Sequence, residues 1–154
     1  MKRRFFPALA VIGVLLIFAG SAYSAPCTDP GSIRRVVKTR NGAYEYVVFD
    51  VFLPPNPTYT VTTAHPPFVQ DGSGEPVTVT GPNYKSVRFT GVNWMCTIGE
   101  NFSVPTTTIK QIKSLGQFEG IVEYVIGYKK ASKYAGNYFY DVGSIRKVVV
   151  RFKR

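Results

Sequence analysis

Between residues 31 and 153 the chain is a series of short apolar or alternating runs, each cut off by glycine, proline, asparagine or aspartate. The first, SIRRVVK (32–38), ends close to Asn41-Gly42, a dipeptide that supplies the positive φ a tight hairpin needs. AYEYVVFDVF (43–52) follows, rich in β-branched and aromatic residues. Its alternation sets Tyr44, Tyr46, Val48, Asp50 and Phe52 on one face and Glu45, Val47, Phe49 and Val51 on the other. Both faces are largely apolar, which predicts a central strand, and Pro54, Pro55 and Pro57 end it. TYTVTTA (58–64) alternates more cleanly and predicts a strand with one wet face. PVTVTG (76–81) and YKSVRFTGV (84–92) keep the period of two, and residues 93–105 read as a longer loop.

The second half is less even. In TTTIKQIKSL (106–115), Ile109, Ile112 and Leu115 recur every three residues, which fits a helical turn, while the threonines fit a strand. QFEGIVEYVIGYKK (117–130) restores strand character, with Val122, Tyr124 and Ile126 on one face. YAGNYFY (134–140) and SIRKVVVRF (144–152) close the series. Roughly eight short strands separated by turn signals predict a single all-β domain, an antiparallel sandwich or barrel. GSIRRVV (31–37) and GSIRKVV (143–149) are nearly identical, yet no fixed period recurs. The pair fits either a two-sheet symmetry or a chance likeness between two strands.

The first 24 residues belong to a different class. Lys2, Arg3 and Arg4 precede an apolar run from Phe5 to Ala19, and small residues close the segment at Gly20, Ser21, Ala22 and Ser24. This is the order of a secretory signal peptide, with cleavage expected after Ser24. A membrane anchor needs about 20 apolar residues, and this run is shorter and broken by Pro7 and Gly13. The expected division is therefore a leader over 1–24 and one domain over 25–154, with no transmembrane span after cleavage. Loss of the three leader cations lowers the net charge from +10 to +7. That favours anionic surroundings such as wall polymers or acidic glycans, or serves solubility alone. Nucleic acid is not an expected partner of an exported chain. In an oxidising compartment the two cysteines, Cys27 and Cys96, are expected to form one disulfide.

Candidate chemistry is sparse. The lone histidine, His65, sits in the loop AHPP, and the nine carboxylates show no catalytic spacing. No enzyme, cofactor or metal site is read from them. QDGSGEPV (70–77) has the glycines of a phosphate cradle, but a proline and a strand follow where a Lys-Ser/Thr and a helix are required. Asp71, Ser73 and Glu75 alternate like calcium ligands, without the length or the flanking helices of an EF-hand loop. A turn is expected instead, with Gly72 and Gly74 supplying positive φ and Asp71 bonding nearby amides. Asn101-Phe102-Ser103 fits a glycosylation sequon. In YKKASKYAGNYFY (128–140), lysines alternate with aromatics that either stack on sugar rings or fill the core. Together with Tyr124, the residues Tyr128, Lys129, Lys130, Tyr134 and Tyr138 form the candidate ligand surface.

YEYVVFDV (44–51), YTVTTAHPPFVQDGSGEPVTVTG (59–81), QFEGIVEYVIGY (117–128) and IRKVVVRF (145–152) occur in the order seen in the AMIN-like domain of exported bacterial proteins, which this chain resembles over most of its mature length. Two positions depart from that pattern: Tyr46 stands where a charged residue is common, and Arg151 where the last strand usually carries Asp. The resemblance implies a β-sandwich, an extracytoplasmic location, and a non-enzymatic module of the cell envelope. Peptidoglycan or another anionic wall polymer is the expected ligand class, and a monomer the expected state. The alternative is a structural module that pairs a sheet edge with an envelope protein.

Overall fold

Three hairpins form the frame, each closed by a two-residue turn with glycine at positive φ. Strands β1 (Ser32–Asn41) and β2 (Tyr44–Phe52) turn at Gly42, φ 55°. Strands β10 (Lys133–Val142) and β11 (Ile145–Lys153) turn at Gly143, φ 58°. Between β8 (Ile109–Phe118) and β9 (Ile121–Tyr128), Glu119 and Gly120 both hold positive φ, as a turn matched to the right-handed strand twist demands. The run 117–130 is thus not one strand, because Glu119-Gly120 reverses it. The remaining strands are β3 (Thr58–Ala64), β4 (Phe68–Val69), β5 (Pro76–Val77), β6 (Asn83–Thr90) and β7 (Trp94–Met95).

This computed structural model describes residues 30–52, 58–92, 94–95 and 108–154. The leader, both cysteines of the expected bridge and the Asn101 sequon lie outside the described residues. Within them the fold is all-β: eight strands of seven residues or more, three of two residues, and no helix.

Two sheets face each other. The first runs in the order β10-β11-β2-β1, antiparallel throughout, with β7 added in parallel beside β1. The second runs β3-β6-β9-β8, also antiparallel. The alternation in 44–52 explains the packing. Val47, Phe49 and Val51 point between the sheets, where Phe49 meets Phe89 at 5.2 Å and Tyr124 at 5.1 Å between ring centroids. Val148, Val150 and Phe152 of β11 join them against Val122 and Ile126 of β9. Each fully buried side chain of this size contributes about 1.5–3 kcal/mol relative to exposure, so this layer is the main stabilising element. Glu45 also lies on the inner side, buried, and accepts the amides of Thr108 and Ile109 at 3.3 and 3.1 Å. A strand-initiating segment of one sheet is thereby tied to a strand of the other.

The three-residue spacing of Ile109, Ile112 and Leu115 belongs to a strand, not a helix. Register shifts between Ile109 and Gln111 and between Ser114 and Gly116 break the period of two. Ile109 and Ile112 therefore both reach the main core, and Leu115 reaches the opposite face of the same sheet.

That opposite face carries a second, smaller core. The segment 65–82, with β4 and β5 at its centre, folds back over the second sheet. Phe68 and Val79 pack on Leu115 and Val125, with Ala64, Val77 and Tyr84 at the margin. Its QDGSGEPV turn is closed by the Gly74 amide on the Gln70 carbonyl at 2.9 Å and the Gln70 amide on the Glu75 carbonyl at 2.8 Å. Gly72 and Gly74 have φ of 85° and 72°. The side chain that folds back on the turn is Ser73, whose hydroxyl accepts the Glu75 amide at 3.3 Å. Asp71 instead docks through its own amide on the Leu115 carbonyl at 2.6 Å. Gly127 lets the chain cross β9, since a Cβ there would collide with the Thr80 carbonyl.

Candidate functional site

The first sheet has no such cover among the described residues, and its outer face is where polar chemistry gathers. Strand alternation puts Tyr44, Tyr46, Val48 and Asp50 of β2 on that face. The register sets Tyr46 beside Thr39 and Arg151, Val48 beside Val37 and Val149, and Asp50 beside Arg35 and Lys147. On β10, Tyr138 pairs with Val149 and Tyr140 with Lys147. Tyr138 and Tyr140 are 44 % and 46 % exposed, and their rings stack at 6.4 Å with planes 23° apart.

Thr39, Asn41, Tyr46, Val48, Tyr138, Tyr140 and Val149 line a shallow basin of about 320 Å³. Its floor is the two valines, and its walls are tyrosine rings from β2 and β10. At one end Arg151 donates to the Ala135 carbonyl at 2.8 and 3.2 Å and lies 5.0 Å from the Tyr44 ring centre. Tyr46 and Arg151, the two departures from the resembled pattern, are register partners on this face.

At the other end Asp50 is 5 % exposed and clasped from both sides. Arg35 donates Nε and Nη2 to Oδ2 at 3.0 and 2.9 Å, and Lys147 donates Nζ to Oδ1 at 2.7 Å. A buried carboxylate is tolerated because both oxygens are met by charge-assisted donors. The near-identical strings 31–37 and 143–149 are the strands on either side of β2, in one sheet, and each contributes its second basic residue to Asp50. They are not related as one sheet to the other.

The six residues of the expected ligand surface do not come together. Tyr124 and Tyr128 are 2 % and 8 % exposed and face the main core, Tyr128 against Phe152 at 4.9 Å. Both follow the inward parity of β9, so neither belongs to a surface. Burial also pushes the Tyr128 hydroxyl above its ordinary pKa. Lys129 and Lys130 sit in the β9–β10 connection. Tyr134 is half-buried beside Phe152, under the Lys85 ammonium at 4.4 Å. Only Tyr138 reaches the outer face. Tyr44, Arg35 and Lys147 are not candidates from the sequence, Tyr46 stands there only as a departure from the resembled pattern, and Tyr140 only as the end of the aromatic stretch 128–140. The tyrosine side of 43–52 was visible there, but strand alternation does not say which of two apolar faces stays uncovered.

His65 is exposed in its loop. Asp71 Oδ2 is buried without a hydrogen-bond partner among the described residues. Burial, then nearby Glu123, raises the Asp71 carboxyl above its usual range, partly offset by Arg88. Among the described residues no group of three or more His, Cys, Asp or Glu is placed to hold a metal ion.

In comparison with known families, the AMIN-like domain model matches residues 32–152. No curated protein matches the chain.

Proposed function

The chain belongs to the AMIN-like domain family, a non-catalytic family, and from that premise we propose that it is an exported envelope module binding wall glycan through the outer face of β10-β11-β2-β1. One observation carries this reading: of the two outer faces, only this one is uncovered among the described residues, and it bears Tyr46, Tyr138 and Tyr140 around an apolar floor. Tyrosine rings offer flat apolar faces to the C–H faces of sugars and a hydroxyl to their edges. The basin is shallow and open along the sheet, which suits a polymer lying across strands more than a small molecule enclosed in a pocket. Arg35, Lys147 and Arg151 add the positive potential that draws in an acidic polymer. The chemistry required is binding alone, with peptidoglycan as the leading ligand.

Co-sedimentation of the mature chain with purified peptidoglycan tests this. Retention is expected at low salt, weakened but persistent at high salt, and lost in the Tyr46→Ala/Tyr138→Ala double variant. Absence of retention at either salt would sink the reading, and retention that vanishes at high salt would reduce it to nonspecific charge.

A second reading has its own observation. Strand β10 is the edge of its sheet, and Phe139 and Val142 on it are 51 % and 55 % exposed. Such an edge offers unpaired backbone groups to a partner strand. Phe139→Lys would abolish association with an envelope protein if the edge is the contact, and would leave glycan retention unchanged.

A further inference from the structure

The resembled strings GSIRRVV and GSIRKVV differ in one structural respect. In β11 the pairing with β2 is regular, with Ile145, Arg146 and Lys147 opposite Phe52, Val51 and Asp50. In β1, Ile33 pairs with Val51 and Arg35 with Asp50, so Arg34 is an extra residue, a β-bulge. Its consequence is visible in burial: Ile33 and Val36 are buried, whereas Arg34 and Arg35 are both exposed. In a regular strand consecutive side chains take opposite faces, and one of the two arginines would point between the sheets. The bulge turns both outward, the kind of re-aiming for which bulges next to binding sites are known.

Both arginines open on the same hollow. Arg34, Arg35, Asp50, Val142, Ile145 and Lys147 line about 290 Å³ at the end of the sheet face. The single carboxylate there is spent: Asp50 is buried and each oxygen already accepts from Arg35 or Lys147. Arg35 uses two of its five N–H donors on it and Lys147 one of its three. Among the described residues, the ion pairs involve Arg35, Arg88, Arg146, Lys147 and Arg154 but not Arg34. Three cations against one shielded carboxylate leave a positive hollow with donors to spare. It adjoins the tyrosine basin, because Tyr140 is the register partner of Lys147.

We propose that Arg34, Arg35 and Lys147 form a subsite for an anionic group, carboxylate or phosphate, carried by a saccharide whose ring lies on the neighbouring tyrosines. Asp50 is a positioning residue, which holds the Arg35 fork and the Lys147 ammonium in place so that little side-chain freedom is lost on binding. This rests on the glycan-binding reading above and specifies its ligand as an acidic glycan.

Titration calorimetry of the mature chain with three polymers tests it: polygalacturonate, its methyl ester, and glucosylated poly(glycerol phosphate). At least one acidic polymer is expected to bind about tenfold more tightly than the neutral ester at physiological salt, as charge-assisted pairing implies. Whichever acid is preferred identifies carboxylate or phosphate as the source. Arg34→Gln leaves the Asp50 ion pairs intact and is expected to cut that preference by about threefold to tenfold, with the melting temperature unchanged. Lys110→Gln, on the other sheet, is expected to leave it alone. Equal affinity for acid and ester, with binding retained, would overturn the subsite and spare the glycan reading. Equal losses in Arg34→Gln and Lys110→Gln would reduce the preference to net charge and overturn the subsite as well. Failure of all three polymers and of peptidoglycan to bind would overturn both.

Discussion

The two outer faces of this sandwich are built from the same kind of strands and end differently. Over β3-β6-β9-β8 the chain lays its own segment 65–82, and aliphatic residues with Phe68 close a second core. Over β10-β11-β2-β1 no described segment returns, and the exposed positions include tyrosines, Thr39, Asn41 and cations, with Val142 at the end of the face. A face that the fold covers needs Leu115, Val125 and Phe68, because removing apolar area from water is what holds the cover down. On the open face Val149 is buried, but Tyr138 and Tyr140 stay 44 % and 46 % exposed, so the arrangement removes less apolar area from water than the covered face does. The contrast supports the proposed division of labour, with stability on the first face and recognition on the second.

Substitutions sharpen or break this contrast. The largest effect is expected at the covered face: Phe68→Ala removes a buried ring that meets Tyr84 at 5.0 Å and should cost about 3–4 kcal/mol in urea unfolding. Gly127→Ala comes next. Its Cβ would strike the Thr80 carbonyl, so the crossing at 78–82 must shift, at about 1–3 kcal/mol, with faster amide exchange in 65–82 than in β1 and β2. On the open face Tyr46→Ala should cost less than about 1 kcal/mol while weakening glycan retention severalfold. A stability loss there as large as that of Phe68→Ala would erase the division between the faces.

The smallest effect concerns pH. The folded carboxyl of Asp71 titrates above its ordinary value of 3.8, chiefly through burial. The folded state therefore favours its protonated form, and this site stabilises the hairpin below that range and loses the contribution as pH rises through the folded value. Asp71→Asn should be slightly more stable than the parent chain at neutral pH, and the advantage should disappear near pH 3.8 and below. Thermal melts at both pH values check it; an Asn variant that is less stable at neutral pH would contradict it.

Much of the fold is legible in the sequence because alternation and turn chemistry are local. The two faces of 43–52 and the Asn41-Gly42 reversal need no tertiary information. The ambiguity at Ile109, Ile112 and Leu115 does, since bulges imitate the spacing of a helical turn. The site was harder to see for the same reason. Tyr124, Tyr128 and Tyr134 form a dense aromatic cluster in sequence, yet β9 is central and its even-numbered side chains face the core, while Tyr134 of β10 packs beside Phe152. Arg34, Tyr46 and the β10–β11 hairpin bearing Tyr138 and Lys147 come from separate parts of the chain and meet only through the β1–β2–β11–β10 register and one bulge. Tyr46 opposite Arg151 shows the point best, because two separate departures from a family pattern prove to be one cross-strand pair.

The most direct measurement is amide chemical-shift mapping of residues 25–154 titrated with soluble peptidoglycan fragments. Saturable shifts are expected at residues 44–50, 138–142 and 145–151, with residues 65–82 unchanged. Shifts concentrated in 65–82, or none at saturating fragment, would contradict the assignment of recognition to the uncovered face.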